Sequence, residues 1–345
     1  MSAQNRRVAM AVIAACAACA TPRAFAVFAE KTTGPNPAPG DVLYVDAGAS
    51  LLFHDRNGKD ANLADAYPDY TKKIFLSPDK KTLAVTLQPL HSEIGTVTYL
   101  SDVDGSRATK PRDGSFMAWS PDGSQAYLFA SGSFERERGI FRLDTDGDYA
   151  DAGFPKGTID VDVNPVRGES AYSLASDGGD ETDIWLRGPD GKDRILVEGS
   201  GRTLTWMRWS PDGSRLAFLA YGLEGEGAGR QSVWVVGVDG SEAVQLDDVL
   251  WDYPPVWSPD GTYLAYAKPD GDGSEVWTYA VQDGLKEEAS KGSGAMAFQP
   301  AFDSAGALFF VAGDKGGSSE LWKNSGGTVS KVTSTGTMKG YPLPL

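Results

Sequence analysis

The stretch Trp209-Ser210-Pro211-Asp212-Gly213 decides the fold, because it recurs along the chain at a nearly constant interval. The other clear copies are Phe75-Leu76-Ser77-Pro78-Asp79, Trp119-Ser120-Pro121-Asp122-Gly123 and Trp257-Ser258-Pro259-Asp260-Gly261, and degenerate copies are Val163-Asn164-Pro165 and Phe302-Asp303-Ser304-Ala305-Gly306. From Ser77 through Ser120, Asn164, Ser210, Ser258 and Asp303 the steps are 43, 44, 46, 48 and 45 residues. A period of this length is typical of a β-propeller blade.

Each copy of the motif predicts a tight connection between two strands. Proline presets φ for the first corner of the turn, a preceding Ser or Asp caps it, and glycine closes it. The motif aspartates Asp79, Asp122, Asp212 and Asp260 recur in every clear copy, whereas one active site does not need the same carboxylate in each repeat. We therefore interpret them as turn residues, and the motif tryptophans as core residues between blades.

The segments between the motifs predict three further strands in each repeat. A short apolar run follows the motif, as in Leu216-Ala217-Phe218-Leu219, and then comes a strand marked by one aromatic residue. These aromatic residues are Tyr99, Phe141, Trp185, Trp234, Trp277 and Trp322. Dipeptides such as Asp146-Gly147 and Gly326-Gly327 follow them and tolerate the positive φ of type I′ hairpins. The pattern predicts an all-β protein made of four-stranded antiparallel units.

The number of units follows from the two ends of the repeat. An additional hairpin turn, Asn57-Gly58, lies upstream in a unit that lacks its own first strand. Residues 341–345 align with Tyr253-Pro254-Pro255-Val256-Trp257 and would supply that strand. We therefore predict seven blades, one of them built from both termini. The alternative is a six-bladed ring with the N-terminal unit packed outside.

At these residues the chain resembles the TolB-like β-propeller repeat family, whose mark is Trp-Ser-Pro-Asp-Gly followed by a small apolar strand. The resemblance covers residues 41–345 and does not include the α/β domain that precedes the propeller in TolB. It implies a propeller whose surface binds other proteins. The family typically has six blades, and related repeats occur in lyases, lactonases and propeller domains of serine peptidases.

The N-terminal 40 residues have the composition of a targeting segment. Arg6-Arg7 precedes a mostly apolar run from Val8 to Ala20 and small residues up to Ala26, which is the order of a secretory signal. We predict a signal peptide at 1–26, a linker at 27–40 and an exported protein, placed in the cell envelope, the periplasm or the extracellular space. Ile13-Ala14-Ala15-Cys16 also resembles a lipobox, so a lipid anchor at Cys16 is the alternative.

The composition limits the partners. The formal net charge is −15, which disfavours nucleic-acid backbones and anionic lipid surfaces and favours a cationic partner. The two cysteines, Cys16 and Cys19, both lie in the signal, so we expect no disulfide in the folded part. We expect a monomer that binds a protein or peptide and carries no cofactor.

Candidate binding residues lie where the repeats differ. Loops after the second strands and connections between blades emerge on one face of a propeller, and here they carry both acidic and aromatic residues. The candidates are Glu135, Glu137, Asp180, Asp183, Trp206, Trp251 and Tyr253. Aromatic anchors beside charge favour recognition of a protein or glycan.

Two further groups of residues are candidates for chemical sites. Clustered carboxylates suit calcium, and Asp270, Asp272 and Glu275 form the candidate calcium loop. The two histidines, His54 and His91, fall in different units, so we do not expect a catalytic pair. There is no Gly-x-Ser-x-Gly nucleophile motif in the chain.

The preferred hypothesis is an exported, non-enzymatic scaffold that binds a protein or peptide. The alternatives are a metal-assisted lactonase or uronate lyase acting in the central channel, and a glycan or small-molecule sensor.

Overall fold

The structure is a computed structural model, and it describes residues 41–46, 51–55, 57–64, 70–89, 96–103, 107–131, 138–176, 179–223, 229–241, 243–250, 253–315, 317–336 and 339–345. The predicted signal and linker lie outside these ranges. The described residues form strands and turns and contain no helix, so none of them could cross a membrane as a helix.

The strands are numbered in chain order. They are β1 (Val42–Asp46), β2 (Leu51–His54), β3 (Asp60–Ala64), β4 (Tyr70–Leu76), β5 (Thr82–Pro89), β6 (Val97–Asp102), β7 (Arg112–Asp113), β8 (Ser115–Trp119), β9 (Gln125–Ala130), β10 (Gly139–Asp144), β11 (Tyr149–Asp151), β12 (Thr158–Val163), β13 (Ser170–Ala175) and β14 (Thr182–Arg187). The remainder are β15 (Asp193–Val197), β16 (Arg202–Trp209), β17 (Arg215–Gly222), β18 (Gln231–Gly237), β19 (Val244–Asp248), β20 (Val256–Trp257), β21 (Tyr263–Asp270), β22 (Gly273–Ala280), β23 (Lys286–Glu288), β24 (Met296–Phe302), β25 (Leu308–Gly313), β26 (Ser319–Ser325), β27 (Thr328–Lys331) and β28 (Lys339–Pro344).

The strands pair in sets of four, as the repeat predicts. The four-stranded sheets have the orders β28-β1-β2-β3, β4-β5-β6-β7, β11-β10-β9-β8, β12-β13-β14-β15 and β16-β17-β18-β19. The remaining eight strands form one sheet, in which β20–β23 and β24–β27 are joined by a single parallel pairing of Ser274 with Met296. The C-terminal strand β28 pairs antiparallel with β1.

One strand of each set lies at the centre of the molecule. These strands are β4, β8, β12, β16, β20, β24 and β28, and we call them the inner ring. Contacts run from β28 to β4, from β8 through β12, β16, β20 and β24 in turn, and from β24 back to β28. Between β4 and β8 the link is Phe75 stacked on Phe116 at 4.4 Å. The described residues thus form an all-β propeller.

The core lies between successive sheets. Tyr44, Tyr172, Phe218, Tyr266 and Phe310 are among the largest fully buried side chains, and all occupy the same position on the second strand of a set. Four of them lie opposite a predicted third-strand tryptophan, as Phe218 does with Trp234 and Phe310 with Trp322. The interpretation of the motif tryptophans as residues between sheets is confirmed, because the Trp257 indole donates to the Arg208 carbonyl of the preceding sheet at 2.9 Å.

The motif aspartates are turn residues, as predicted. In each clear copy the Ser hydroxyl donates to the Asp carboxylate two residues later, as from Ser210 to Asp212 at 2.6 Å. The same carboxylate accepts the Ser214 amide at 3.0 Å. These hydrogen bonds to the ionised form lower the pKa of Asp212 to about 2. Asp79, Asp122 and Asp260 have the same environment and also have lowered pKa values.

Two local details differ from the prediction. Both residues of Gly326-Gly327 have positive φ, but in Asp146-Gly147 only the glycine does, so that turn is not type I′. The connection between β10 and β11 is longer than two residues, which allows a left-handed glycine to follow an ordinary turn. The C-terminal alignment is also displaced by one residue, since Pro344, opposite Val42, corresponds to Trp257, opposite Leu264.

The motif glycines provide a test of the packing between sheets. Gly213 and Gly261 both have positive φ, but an added Cβ would lie 2.2 Å from the buried Asn164 side chain at Gly213 and no closer than 3.6 Å to any atom at Gly261. Asn164 belongs to the preceding sheet and donates to the Gly213 carbonyl at 3.0 Å. We expect Gly213→Ala to lower the free energy of unfolding by about 1–3 kcal/mol more than Gly261→Ala, measured by urea titration. Equal losses would mean that Asn164 is not held against this turn.

Candidate functional site at the inner ring

A contact between Lys73 and Trp206 crosses the centre of the propeller. The Lys73 ammonium lies 5.9 Å from the centroid of the Trp206 ring. Lys73 is on β4 and Trp206 is on β16, and other inner-ring strands separate these two on both sides. The contact therefore spans the central channel and places a half-buried indole there.

The backbone of Trp206 is unusual. Its φ is +54°, a left-handed conformation that a bulky side chain rarely adopts. Thr205 pairs with Leu219 and Arg208 pairs with Ala217, so Trp206 and Met207 together oppose one residue of β17. This is a β-bulge.

The same bulge occurs on two other inner-ring strands. Gln299 on β24 and Tyr341 on β28 have φ values of +53°, and each lies at the equivalent register shift. The backbone geometry is thus repeated, while the side chains are Trp, Gln and Tyr. At this repeated bulge the backbone is the same and only the side chain differs, so each sheet can present a different chemical group at this position.

A buried carboxyl of the preceding sheet contacts the Trp206 bulge. Asp160 on β12 is 3% exposed, and its Oδ2 accepts the Met207 amide at 3.0 Å. The Thr205 hydroxyl lies 3.4 Å from the same oxygen. Thr205 and Met207, the two neighbours of Trp206 on β16, therefore both contact one side chain of β12.

Asp162 lies two residues further along the same face of β12. Its Oδ2 accepts the Trp209 amide at 2.8 Å. The residue as a whole keeps some exposure, but the strands enclose its carboxyl. This burial raises the pKa of Asp162 to about 6, against the opposing effect of the Arg208 charge. Burial also raises the pKa of Asp160, again opposed by Arg208.

Two further aromatic side chains line the neighbouring part of the ring. Tyr253, at the entry to β20, stacks on Phe298 of β24 with the ring centroids 5.4 Å apart. Both side chains are half-buried. Of the predicted binding residues, the structure thus places Trp206 and Tyr253 at the inner ring. Glu135, Glu137 and Trp251 lie outside the described residues.

The two remaining predicted residues contact the connection that leads into β16. The Asp183 carboxylate accepts the Gly199 amide at 2.9 Å, and the Asp180 carbonyl accepts the Thr203 hydroxyl at 2.6 Å. The neighbouring Glu181 carboxylate accepts the Gly201 amide at 2.9 Å. These acidic residues hold a glycine-containing connection in place, and the carboxylate of Asp180 is exposed.

The structure does not bring the predicted calcium residues together. Asp272 pairs with Lys315 at 3.4 Å, and Glu275 accepts the Trp277 indole N–H at 2.7 Å. Among the described residues there is no group of three or more His, Cys, Asp and Glu side chains arranged to hold a metal ion. The calcium site stays a prediction.

The other chemical candidates lie away from the channel. His54 pairs with Asp60 at 2.9 Å on the outer strands of the sheet formed by β28, β1, β2 and β3, and His91 lies outside the described residues. A cavity of about 310 Å³ lies beside Glu320, Trp322 and Lys331. Both oxygens of Glu320 are bonded, to Thr333 and to the Gly336 amide.

Sequence reasoning missed Lys73, Asp160 and Asp162. The sequence does carry a signal for the two aspartates. In the strand Thr158–Val163 they alternate with the apolar residues Ile159, Val161 and Val163. Acidic residues at alternate positions of a buried strand predict a polar network between sheets. Lys73 carries no comparable local signal, because its partner lies across the ring.

Comparison with known proteins supports the fold. No family model and no curated protein matches the chain. Similar solved structures include a prolyl endopeptidase (18% identity, TM-score 0.60, 99% of this chain and 55% of that one) and TolB from Acinetobacter baumannii (15%, 0.50, 89% and 80%). The fold is that of a TolB-like β-propeller. An oligogalacturonate lyase in complex with manganese is also similar (15%, TM-score 0.56, 80% and 82%). At these identities the TolB-like likeness concerns the fold alone.

Proposed function

We propose that this protein is an exported, monomeric TolB-like propeller that binds a cationic protein or peptide at the channel end formed by Trp206, Tyr253 and Phe298. The observation that carries the proposal is the Lys73–Trp206 contact. It supports the idea that this indole face attracts a cation at the ring centre. A Lys or Arg side chain of a ligand would take the place of Lys73 on the same face.

We also propose that the ring has seven blades. The eight-stranded sheet divides into two sets of four, which have only the Ser274–Met296 pairing in common. The buried aromatic position of the second strand recurs in both sets, as Tyr266 and Phe310. Pairing of β28 with β1 supports a blade closed by both ends of the chain.

Further support comes from the charge and the aromatic surface. The net charge of −15 attracts cationic partners at long range. Tyr253 and Phe298 are stacked and half-buried, and rigid aromatic side chains of this kind commonly dominate binding energy at interfaces.

The test is capture of a partner by the immobilised protein from cell-envelope extract, quantified by mass spectrometry. We expect Trp206→Ala and Tyr253→Ala each to reduce the captured partner at least about tenfold, since a central aromatic residue contributes 2 kcal/mol or more to such interfaces. Tyr263→Ala is the matched control, because Tyr263 is 46% exposed and adjoins the motif turn at the opposite end of its sheet. Equal capture by the Tyr253 and Tyr263 variants would contradict the proposal.

The second candidate is a metal-assisted lyase or lactonase acting in the channel. It is supported by the similarity of fold to the oligogalacturonate lyase solved with manganese. The described residues do not supply a metal-ligand group, so this function requires donors elsewhere in the chain. Release of unsaturated product from oligogalacturonate, dependent on added manganese and abolished by a chelator, would favour it over the scaffold. Displacement of the captured partner by a glycan would favour the third alternative, a glycan or small-molecule sensor.

A further inference from the structure

The three left-handed residues of the inner ring need a structural cause. A non-glycine residue at φ near +54° is strained and persists only where its surroundings hold it. A bulge also removes backbone amides from the strand ladder, and a buried amide requires another acceptor. Each left-handed bulge therefore requires contacts that hold its strained backbone and an acceptor for its buried amide.

At Trp206 the preceding sheet meets both requirements through one side chain. Asp160 accepts the Met207 amide, which directly follows Trp206, and it lies beside the Thr205 hydroxyl, which directly precedes Trp206. Asp160 is itself fixed, because its Oδ1 accepts the adjacent Val161 amide at 2.9 Å.

At Tyr341 the preceding sheet supplies an amide oxygen instead. Gln299 Oε1 accepts the Tyr341 amide at 2.7 Å, and Tyr341 has φ +53°. The residue before it is Gly340, where a Cβ would lie 3.2 Å from the same oxygen. A carboxyl oxygen and an amide oxygen of the preceding sheet thus each accept a backbone amide of a bulge, at Met207 in one case and at Tyr341 in the other.

A further bulge, on β8, shows a similar contact without a left-handed residue. The register of β8 shifts between Phe116 and Ala118, and the Phe116 amide donates to Thr86 Oγ1 of the preceding sheet at 3.2 Å. A side-chain oxygen from the preceding sheet therefore accompanies the bulge in each of these three strands.

We propose that Asp160 and Gln299 are positioning residues. Each holds a left-handed bulge, at Trp206 and Tyr341 respectively, by accepting a backbone hydrogen bond from the next inner-ring strand. Asp160 thereby sets the contact of Trp206 with Lys73 and prepares the indole face before a ligand arrives. The significance for binding rests on the proposed function, whereas the positioning itself does not.

The test measures the environment of the Trp206 indole in the absence of any ligand. The full chain is labelled with 5-fluorotryptophan, and the Trp206 resonance is assigned with Trp206→Phe. In Asp160→Ala we expect this resonance to shift by more than its linewidth and to lose its response to Lys73→Met. The Trp322 resonance, from a distant sheet, should stay within its linewidth in the same sample.

The matched control is Asp160→Asn, because the chain itself uses an amide oxygen for this contact at Gln299. Asparagine keeps the acceptor for the bulge and gives up only the bond from Val161. We expect the Trp206 resonance and its response to Lys73→Met to be retained. A folded Asp160→Ala protein with an unmoved Trp206 resonance would overturn the proposal.

If Asp160→Ala does not fold, a second site provides the test. Gln299→Ala is examined with 3-fluorotyrosine, and the Tyr341 resonance is assigned with Tyr341→Phe. A shift of that resonance alone is expected, and an unmoved resonance would overturn the proposal. Because no partner is present in either sample, these outcomes are independent of the capture experiment.

Discussion

Replacing Glu320 with Leu should lower the free energy of unfolding by about 3–5 kcal/mol. The Glu320 and Lys339 side chains are 6% and 1% exposed and lie 3.9 Å apart. The Leu variant would remove this carboxylate from the buried Lys339 ammonium, which also contacts the Thr335 hydroxyl at 2.5 Å and the Tyr44 ring at 4.8 Å. It would also remove the acceptor of the Thr333 hydroxyl and the Gly336 amide.

The dependence on pH adds a second criterion. Burial already lowers the pKa of Lys339 below its ordinary value. An amine whose pKa is lowered in the native state is less costly to bury once it loses its proton, so the deficit of the Leu variant should shrink as pH rises toward the pKa of lysine. Urea unfolding at neutral and alkaline pH measures both effects.

The control for this prediction is an exposed ion pair. Lys315 and Asp272 lie 3.4 Å apart with side chains 50% and 95% exposed, and Lys315→Ala should leave the unfolding midpoint unchanged within error. A Glu320→Leu protein as stable as the Lys315 variant would show that Lys339 finds solvent or another partner.

Asp162→Asn should change the pH dependence of stability. Because the pKa of Asp162 is raised from 3.8 to about 6, the native protein keeps this proton where the unfolded chain has lost it. The free energy of unfolding therefore falls as pH rises between these values, by about 2–3 kcal/mol from this group. Asparagine has no proton to lose and still accepts the Trp209 amide, so the variant should gain that amount relative to the wild type between pH 4 and pH 7.

Asp212→Asn provides a control of opposite sign. Its pKa is lowered to about 2, so its ionised form stabilises the native state above the ordinary pKa, and that contribution is lost as pH falls toward 2. The Asp212 variant should therefore lose stability relative to the wild type at neutral pH and regain it in acid. The same slope for both variants would mean that the Asp162 carboxyl is solvated.

The sequence predicted the fold well because its signals are local and repeated. A Ser-Pro-Asp-Gly turn, an apolar strand and an aromatic third strand are each readable within ten residues, and the copies confirm one another. The alignment of the C-terminal segment was wrong by one residue, because it matched Tyr341-Pro342 to Tyr253-Pro254, whereas the strand register places Pro344 at the position of Trp257. The strand was found, and its register was not.

The candidate site was less predictable because its contacts join residues far apart in the chain. Trp206 and Tyr253 were found as aromatic residues in variable connections, whereas Lys73 matters only through a contact across the ring. Acidic loops were expected to face a ligand, yet Asp183 is bonded to the neighbouring connection. Whether Asp183 faces a ligand or supports a neighbouring connection depends on the position of Gly199, and the charge pattern of the sequence does not indicate that position.

Pairing of β28 with β1 has a consequence for how the protein is made. The two strands are separated by nearly all of the described chain, so among the described strand pairs this one closes the longest loop, and we expect it to form last. Until the final residues are available, β1 presents an uncovered strand edge on which other chains can assemble. We expect maturation to be slow and cooperative, with aggregation concentrated in the interval before the C-terminal strand docks.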